Sequence, residues 1–157
     1  MRLTERMHFV PVFESESISS GVTGKSINMK NYHHAVFILA FLSDLVSDAV
    51  LTINSGASDT IQTTAETFYY RVSPQDFGVA ESDILSAEQS STSLTLTEAD
   101  YEDRIIVCEI DADAITDGQE WLTLALDGGA SAGSVTCVAL LEPRYASKTF
   151  KTAIATT

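Results

Sequence analysis

Ala35-Val36-Phe37-Ile38-Leu39-Ala40-Phe41-Leu42 is an unbroken apolar run of eight residues, rich in β-branched and aromatic side chains. A run this short suits a strand better than a buried helix, and the lack of polar alternation suggests a central strand covered on both faces. The break before it, Asn31-Tyr32-His33, is turn-like. Working outward, Ser26-Ile27-Asn28-Met29-Lys30 alternates polar and apolar residues, and Ala49-Val50-Leu51-Thr52-Ile53 ends at Asn54-Ser55-Gly56. These three segments read as sequential antiparallel strands.

The same period of two recurs down the chain. Phe68, Tyr70 and Val72 share one face of a strand, with Tyr69 and Arg71 on the other. Ser93 to Thr97, Arg104 to Ile110, Glu120 to Leu126 and Ser134 to Leu141 are further strands. Residues 73–90 form a long acidic connection with a short helical turn expected around Glu81–Leu85, and Asp111 to Ile115 suits another single turn. The count is about eight or nine short strands with turn signals roughly ten residues apart, and no helical period. The fold class expected is an all-β antiparallel sandwich, jelly-roll or immunoglobulin-like, with extended terminal arms. The division is an N-terminal arm and loop over residues 1–25, a β-sandwich domain over 26–143 and a C-terminal arm over 144–157. Within the first of these, Phe9-Val10-Pro11-Val12-Phe13 suits an edge strand or an extended arm, because Pro11 has no N–H to give to a ladder.

Composition narrows the function. The chain has 157 residues, 9 basic and 22 acidic, for a formal charge of −13. A phosphate backbone would be repelled, so nucleic acid is not an expected partner. The charge is uneven: Arg144, Lys148 and Lys151 stand in the last stretch with no acid, while residues 7–143 hold four basic against 21 acidic residues. Acid-poor ends on an acidic body suit docking through those ends. The longest apolar run is far short of the roughly 20 residues that span a bilayer, and the N-terminus lacks a signal-peptide h-region. No membrane partner is expected, and synthesis in a cytosol-like compartment is. Cys108 and Cys137 lie in apolar runs and read as free buried thiols, although a disulfide between neighbouring strands is compatible with the sequence.

Candidate chemistry fails on geometry. His33 and His34 are adjacent, so on a strand they face opposite ways and chelate poorly. Asp111 to Gly118 resembles a calcium loop but has Ile115 at its fifth position and Leu122 at its twelfth; Asp111 or Asp113 capping a short turn fits better. Gly129-Ala130-Ser131-Ala132-Gly133 has the letters of a nucleophile elbow, yet no helix or histidine follows it. The acids offer many carboxylate pairs, but acids in turns are usually solvated, and the one Trp, Trp121, alternates with Leu122 and Leu124 as a core or half-buried residue would. No catalytic residue, cofactor or metal is assigned, and the chain is not expected to be an enzyme.

Three strings carry a resemblance: Val22-Thr23-Gly24-Lys25-Ser26-Ile27-Asn28-Met29-Lys30-Asn31-Tyr32-His33-His34, then Ile106-Val107-Cys108-Glu109-Ile110-Asp111-Ala112-Asp113, then Glu142-Pro143-Arg144-Tyr145-Ala146. In order and spacing they resemble small virion proteins of tailed bacteriophages, over most of residues 18–147. The resemblance implies an auxiliary head protein, a decoration or cement protein that binds the outer capsid surface and bridges subunits of the major capsid protein. It implies a place on the virion after synthesis in the host bacterial cytoplasm. Capsid sites are symmetric, so a homo-oligomer, trimer or dimer, is expected. The residues expected to meet a partner are Phe9, Val10, Pro11, Val12 and Phe13 at one end and Arg144, Tyr145, Lys148, Phe150 and Lys151 at the other. The alternative is a tail, neck or fibre component that binds a host-surface carbohydrate.

Overall fold

The computed structural model describes residues 2–42, 46, 48–128, 133–147 and 149–156. Lys148 and Gly129 to Ala132 lie outside them. Among the described residues there are twelve strands: β1 (His8–Ser17), β2 (Val22–Thr23), β3 (Ile27–Asn28), β4 (Tyr32–Phe41), β5 (Ala49–Gly56), β6 (Thr64–Ala65), β7 (Phe68–Val72), β8 (Gln89–Ser91), β9 (Leu94–Leu96), β10 (Ile105–Asp111), β11 (Trp121–Asp127) and β12 (Ser134–Pro143). The long apolar run is β4, and the alternating segments are β5, β7, β9, β10, β11 and β12. The two-residue strands β2 and β6 carry too few residues to show a period, and β8 is almost wholly polar.

The strands form two antiparallel sheets. The front sheet runs β1-β12-β4-β10-β7-β8. The back sheet runs β2-β11-β5-β6, with β3 also on β11 and β9 also on β5. The pairs are nested: β1 with β12, β2 and β3 with β11, β4 with β10, β5 with β9. Successive pairs alternate between the sheets, as when one long hairpin is rolled up. This is the jelly-roll order rather than an immunoglobulin one. The β7–β8 hairpin is inserted in the innermost connection and widens the front sheet.

The core fills the space between the sheets. Ala35, Phe37, Leu39 and Phe41 of β4 face Leu122, Leu124 and Leu126 of β11 and Leu51 and Ile53 of β5, all buried. Gly56 ends β5 at a close approach. A Cβ there would lie 1.9 Å from the Ile61 carbonyl oxygen, so glycine lets the 57–63 loop fold back onto the strand.

Several expectations change. β4 is covered on one face only: Val36, Ile38 and Ala40 are half-buried and point away from the core. The segment Glu81–Leu85 forms hydrogen-bonded turns, Ser82 N–H to Val79 O and Ile84 N–H to Glu81 O, not a helix. A helical turn appears instead at Glu98–Tyr101, α2, and a further one, α1, at Leu3–Arg6. The turn after Asp111 is a 3-10 helix at Ala112–Ala114 without a side-chain cap, because Asp111 bonds His34. Neither terminal stretch stands free of the sandwich. Strand β1 is the edge of the front sheet, with irregular register after Pro11 and after Phe13 that blunts the edge. Near the C-terminus, Ile154 bridges Ile27, Asn28 N–H donates to Ala153 O, and Ala153 is buried.

Cys108 and Cys137 are free and buried. Strand β4 lies between their strands, since Cys108 pairs Phe37 and Cys137 pairs Leu39. Two strand spacings, about 10 Å, are too wide for a disulfide. Burial pushes both thiols well above the ordinary range.

Candidate interaction surfaces

The outer face of the front sheet follows from its registers. Residues paired across strands share a face. Phe9, Leu140, Val36, Glu109 and Tyr69 make one row across β1, β12, β4, β10 and β7. The next row is Pro11, Val138, Ile38, Val107 and Arg71. A third holds Thr136, Ala40 and Ile105. Phe9 and Tyr69 are exposed at 40% and 47%, and Val36, Ile38, Val107, Val138 and Leu140 are half-buried. Antiparallel sheets that face water usually carry polar residues on that side. Here the centre of the face is apolar, in a chain of net charge −13. This contiguous apolar patch is the first candidate interaction surface.

An ionic group borders this face. His34 bonds Glu109 Oε2 through Nε2 at 2.8 Å and Asp111 Oδ1 through Nδ1 at 2.7 Å. Burial alone lowers the His34 pKa, but the two carboxylate hydrogen bonds and their charge outweigh it and raise the pKa above the ordinary value. The stabilisation is therefore fully present below the unfolded pKa of about 6.5 and is lost as pH rises through the higher folded value. His8, whose pKa burial lowers, acts in the opposite sense. Urea midpoints measured between about pH 5.5 and 8.5 on the native chain and on His34→Asn should separate the two. The variant is expected to lose less stability than the native chain as pH rises. Parallel profiles would remove His34 as the source.

The second surface is a cleft of about 540 Å³ between the C-terminal segment and the ends of β3, β4, β11 and β12. Tyr32, Trp121, Tyr145 and Phe150 supply its rings, and Lys30, Lys151, Asn28 and Asn31 its polar side chains. Phe150 stacks on His8, with ring centroids 5.0 Å apart and planes 6° from parallel. His8 Nδ1 in turn lies 2.5 Å from the Tyr32 hydroxyl. This chain of contacts seats the C-terminal segment against β1 and β4. Arg144 sits beside the cleft, its N–H donating to Asn31 O and its guanidinium 3.8 Å from Asp113.

The residues singled out in the sequence divide three ways. Phe9 and Pro11 stand on the outer face. Val10 and Phe13 point into the core at 2% and 5% exposure and are not available to a partner, and Val12 is half-buried against the same core. Tyr145, Phe150 and Lys151 line the cleft. Val36, Ile38, Val107, Val138 and Leu140 were not singled out as partner residues; the one signal was the missing alternation in β4. Among the described residues no group of three or more His, Cys, Asp or Glu could hold a metal ion. No helix among them is long and apolar enough to cross a membrane.

No protein-family model matches the chain, and no curated protein sequence matches it. Solved structures align with it. The SPBc2 prophage-derived protein YomS superposes with a TM-score of 0.50 at 12% identity, over 86% of this chain and 91% of that one. A chain of the Triatoma virus empty capsid aligns at 12% identity and a TM-score of 0.42, over 92% of this chain and 94% of that one. At 12% identity the likeness to the prophage protein is one of fold: both are two-sheet antiparallel sandwiches in outline, and this chain's is built as described above.

Proposed function

We propose that the protein is a structural, non-enzymatic virion component that lies on the outer capsid surface and stabilises the shell by bridging subunits of the major capsid protein. The observation that carries this is the apolar outer face of the front sheet, centred on Ile38 and Val138. The resemblance to phage auxiliary head proteins names the partner, and the fold shared with a prophage-derived protein supports it. Five strands at about 4.8 Å spacing make a patch roughly 20 Å across, smaller than a standard interface. A modest contact repeated over many equivalent sites still holds firmly when copies are linked. Self-association as a dimer or trimer supplies that linkage.

The test is a folded protein with a charged face. Ile38→Lys with Val138→Lys places two ammonium groups on half-exposed positions, where their stems still cover the sheet. Capsid co-sedimentation is expected to weaken at least about tenfold while the circular dichroism stays native. Full occupancy by the folded variant would end the proposal. Truncating the C-terminus is a poorer test, because Ala153 belongs to the core.

A second reading, a tail, neck or fibre component that holds a carbohydrate, is favoured by the cleft. Separating heads from tails and locating the protein by mass spectrometry decides between them.

A further inference from the structure

We infer that the cleft beneath the C-terminal segment is a binding site for an acidic sugar, a pyranose chain carrying carboxylate groups. The inference stands apart from the capsid role, since the cleft lies at one end of the sandwich and the outer-face rows of β4 and β12 do not line it.

Four features of the cleft select the ligand. Its volume, about 540 Å³, falls within the range of small-ligand sites. Trp121 and Tyr145 offer ring surface; Trp121 is half-buried and Tyr145 is 77% exposed. The C–H face of a pyranose is the apolar counterpart such rings take. Asn28, Asn31, Thr149 and Thr152 add amide and hydroxyl groups suited to sugar hydroxyls. Lys30 and Lys151 are two of only nine basic residues in the chain, and both line this cleft. The carboxylate paired with Lys30 is Glu120, at a loose 3.9 Å with both side chains largely exposed, so a ligand carboxylate can compete for the ammonium.

An acidic peptide offers the same charge but fits less well. A peptide added to a sheet edge needs free backbone groups. On the β3 side the edge is already occupied: Asn28 N–H donates to Ala153 O, and Ala155 N–H donates to Ser26 O. What remains in the cleft is side-chain chemistry and ring faces.

Trp121 is the chain's one tryptophan, so its emission reports the cleft directly. The experiment titrates the full chain with a glucuronate-containing tetrasaccharide, with a neutral glucose tetrasaccharide, and with an aspartate-rich tetrapeptide. Saturable change with the acidic sugar is expected, with the neutral sugar several-fold weaker. Lys30→Ala with Lys151→Ala should weaken the acidic sugar roughly tenfold and erase its advantage over the neutral one. Glu120→Gln should tighten it, a gain that misfolding does not produce. No saturable change with the acidic sugar, an unaltered affinity in the double lysine variant, or binding of the peptide in its place would overturn the inference. Loss of capsid binding in the Ile38 and Val138 variant would leave this result untouched, so the two proposals fail separately.

Discussion

Replacing Phe37 with Ala is expected to cost about 3–5 kcal/mol of folding stability, enough to threaten a domain of ordinary stability. Phe37 is fully buried at the middle of β4, the strand that both β12 and β10 flank. Its direct neighbours are small: Ala139 on one side and Cys108 on the other. The ring therefore fills space those side chains leave open. Neither neighbour can reach into the vacated volume, so the cavity stays and the loss falls toward the upper end. Urea unfolding followed by far-UV circular dichroism measures this. With a slope of roughly 2 kcal/mol per molar, the midpoint should fall by about 2 M. Ile38→Ala, one residue on and facing outward, should cost under about 1.5 kcal/mol, because its side chain is already partly in water. Equal losses at the two positions would mean that the faces of β4 are wrongly assigned.

The second large effect is expected at Glu66, 5% exposed at the rim of the back sheet. One carboxylate oxygen accepts from the Ser55 hydroxyl at 2.5 Å and from the Thr116 N–H at 2.9 Å. Gln119 lies in the same group: its Oε1 is 2.6 Å from Ser55 Oγ, and its Nε2 donates to Thr64 Oγ1. The network ties β5 and β6 to the loop that enters β11. Glu66→Ala removes the acceptor and leaves a backbone donor and a hydroxyl without it, at a cost of about 2–4 kcal/mol. Glu66→Gln keeps an acceptor oxygen in place and should cost less than half as much. If Gln is as damaging as Ala in the same urea measurement, the acceptor is not what Glu66 contributes.

The network also marks where the sequence ran out. Nothing around Thr64-Ala65-Glu66-Thr67 separates a buried acid from the many solvated ones, because the partners of its side chain lie 11 and 50 residues away. The cleft is similar. Trp121 was legible as core or half-buried, and Tyr145 and Phe150 as part of one C-terminal stretch, but Tyr32, Trp121 and that stretch come from three separate places in the chain. Phe9 to Phe13 looked like one apolar unit. Pairing with β12 split it, so that Val10 and Phe13 joined the core while Phe9 and Pro11 did not.

The sequence alone determined that the chain is an antiparallel β-sandwich, because alternation with period two is local and survives in any sandwich of these strands. It also determined the charge and where the basic residues lie along the chain. Tertiary structure decided the rest. Nested pairing selects the jelly roll, and such pairing joins residues more than a hundred positions apart, as in Phe9 with Leu140. It also decided that the outer side of β4 faces water. An all-apolar strand reads the same whether one face or both are covered, and only the absence, among the described residues, of a third layer over Val36 and Ile38 leaves that face open.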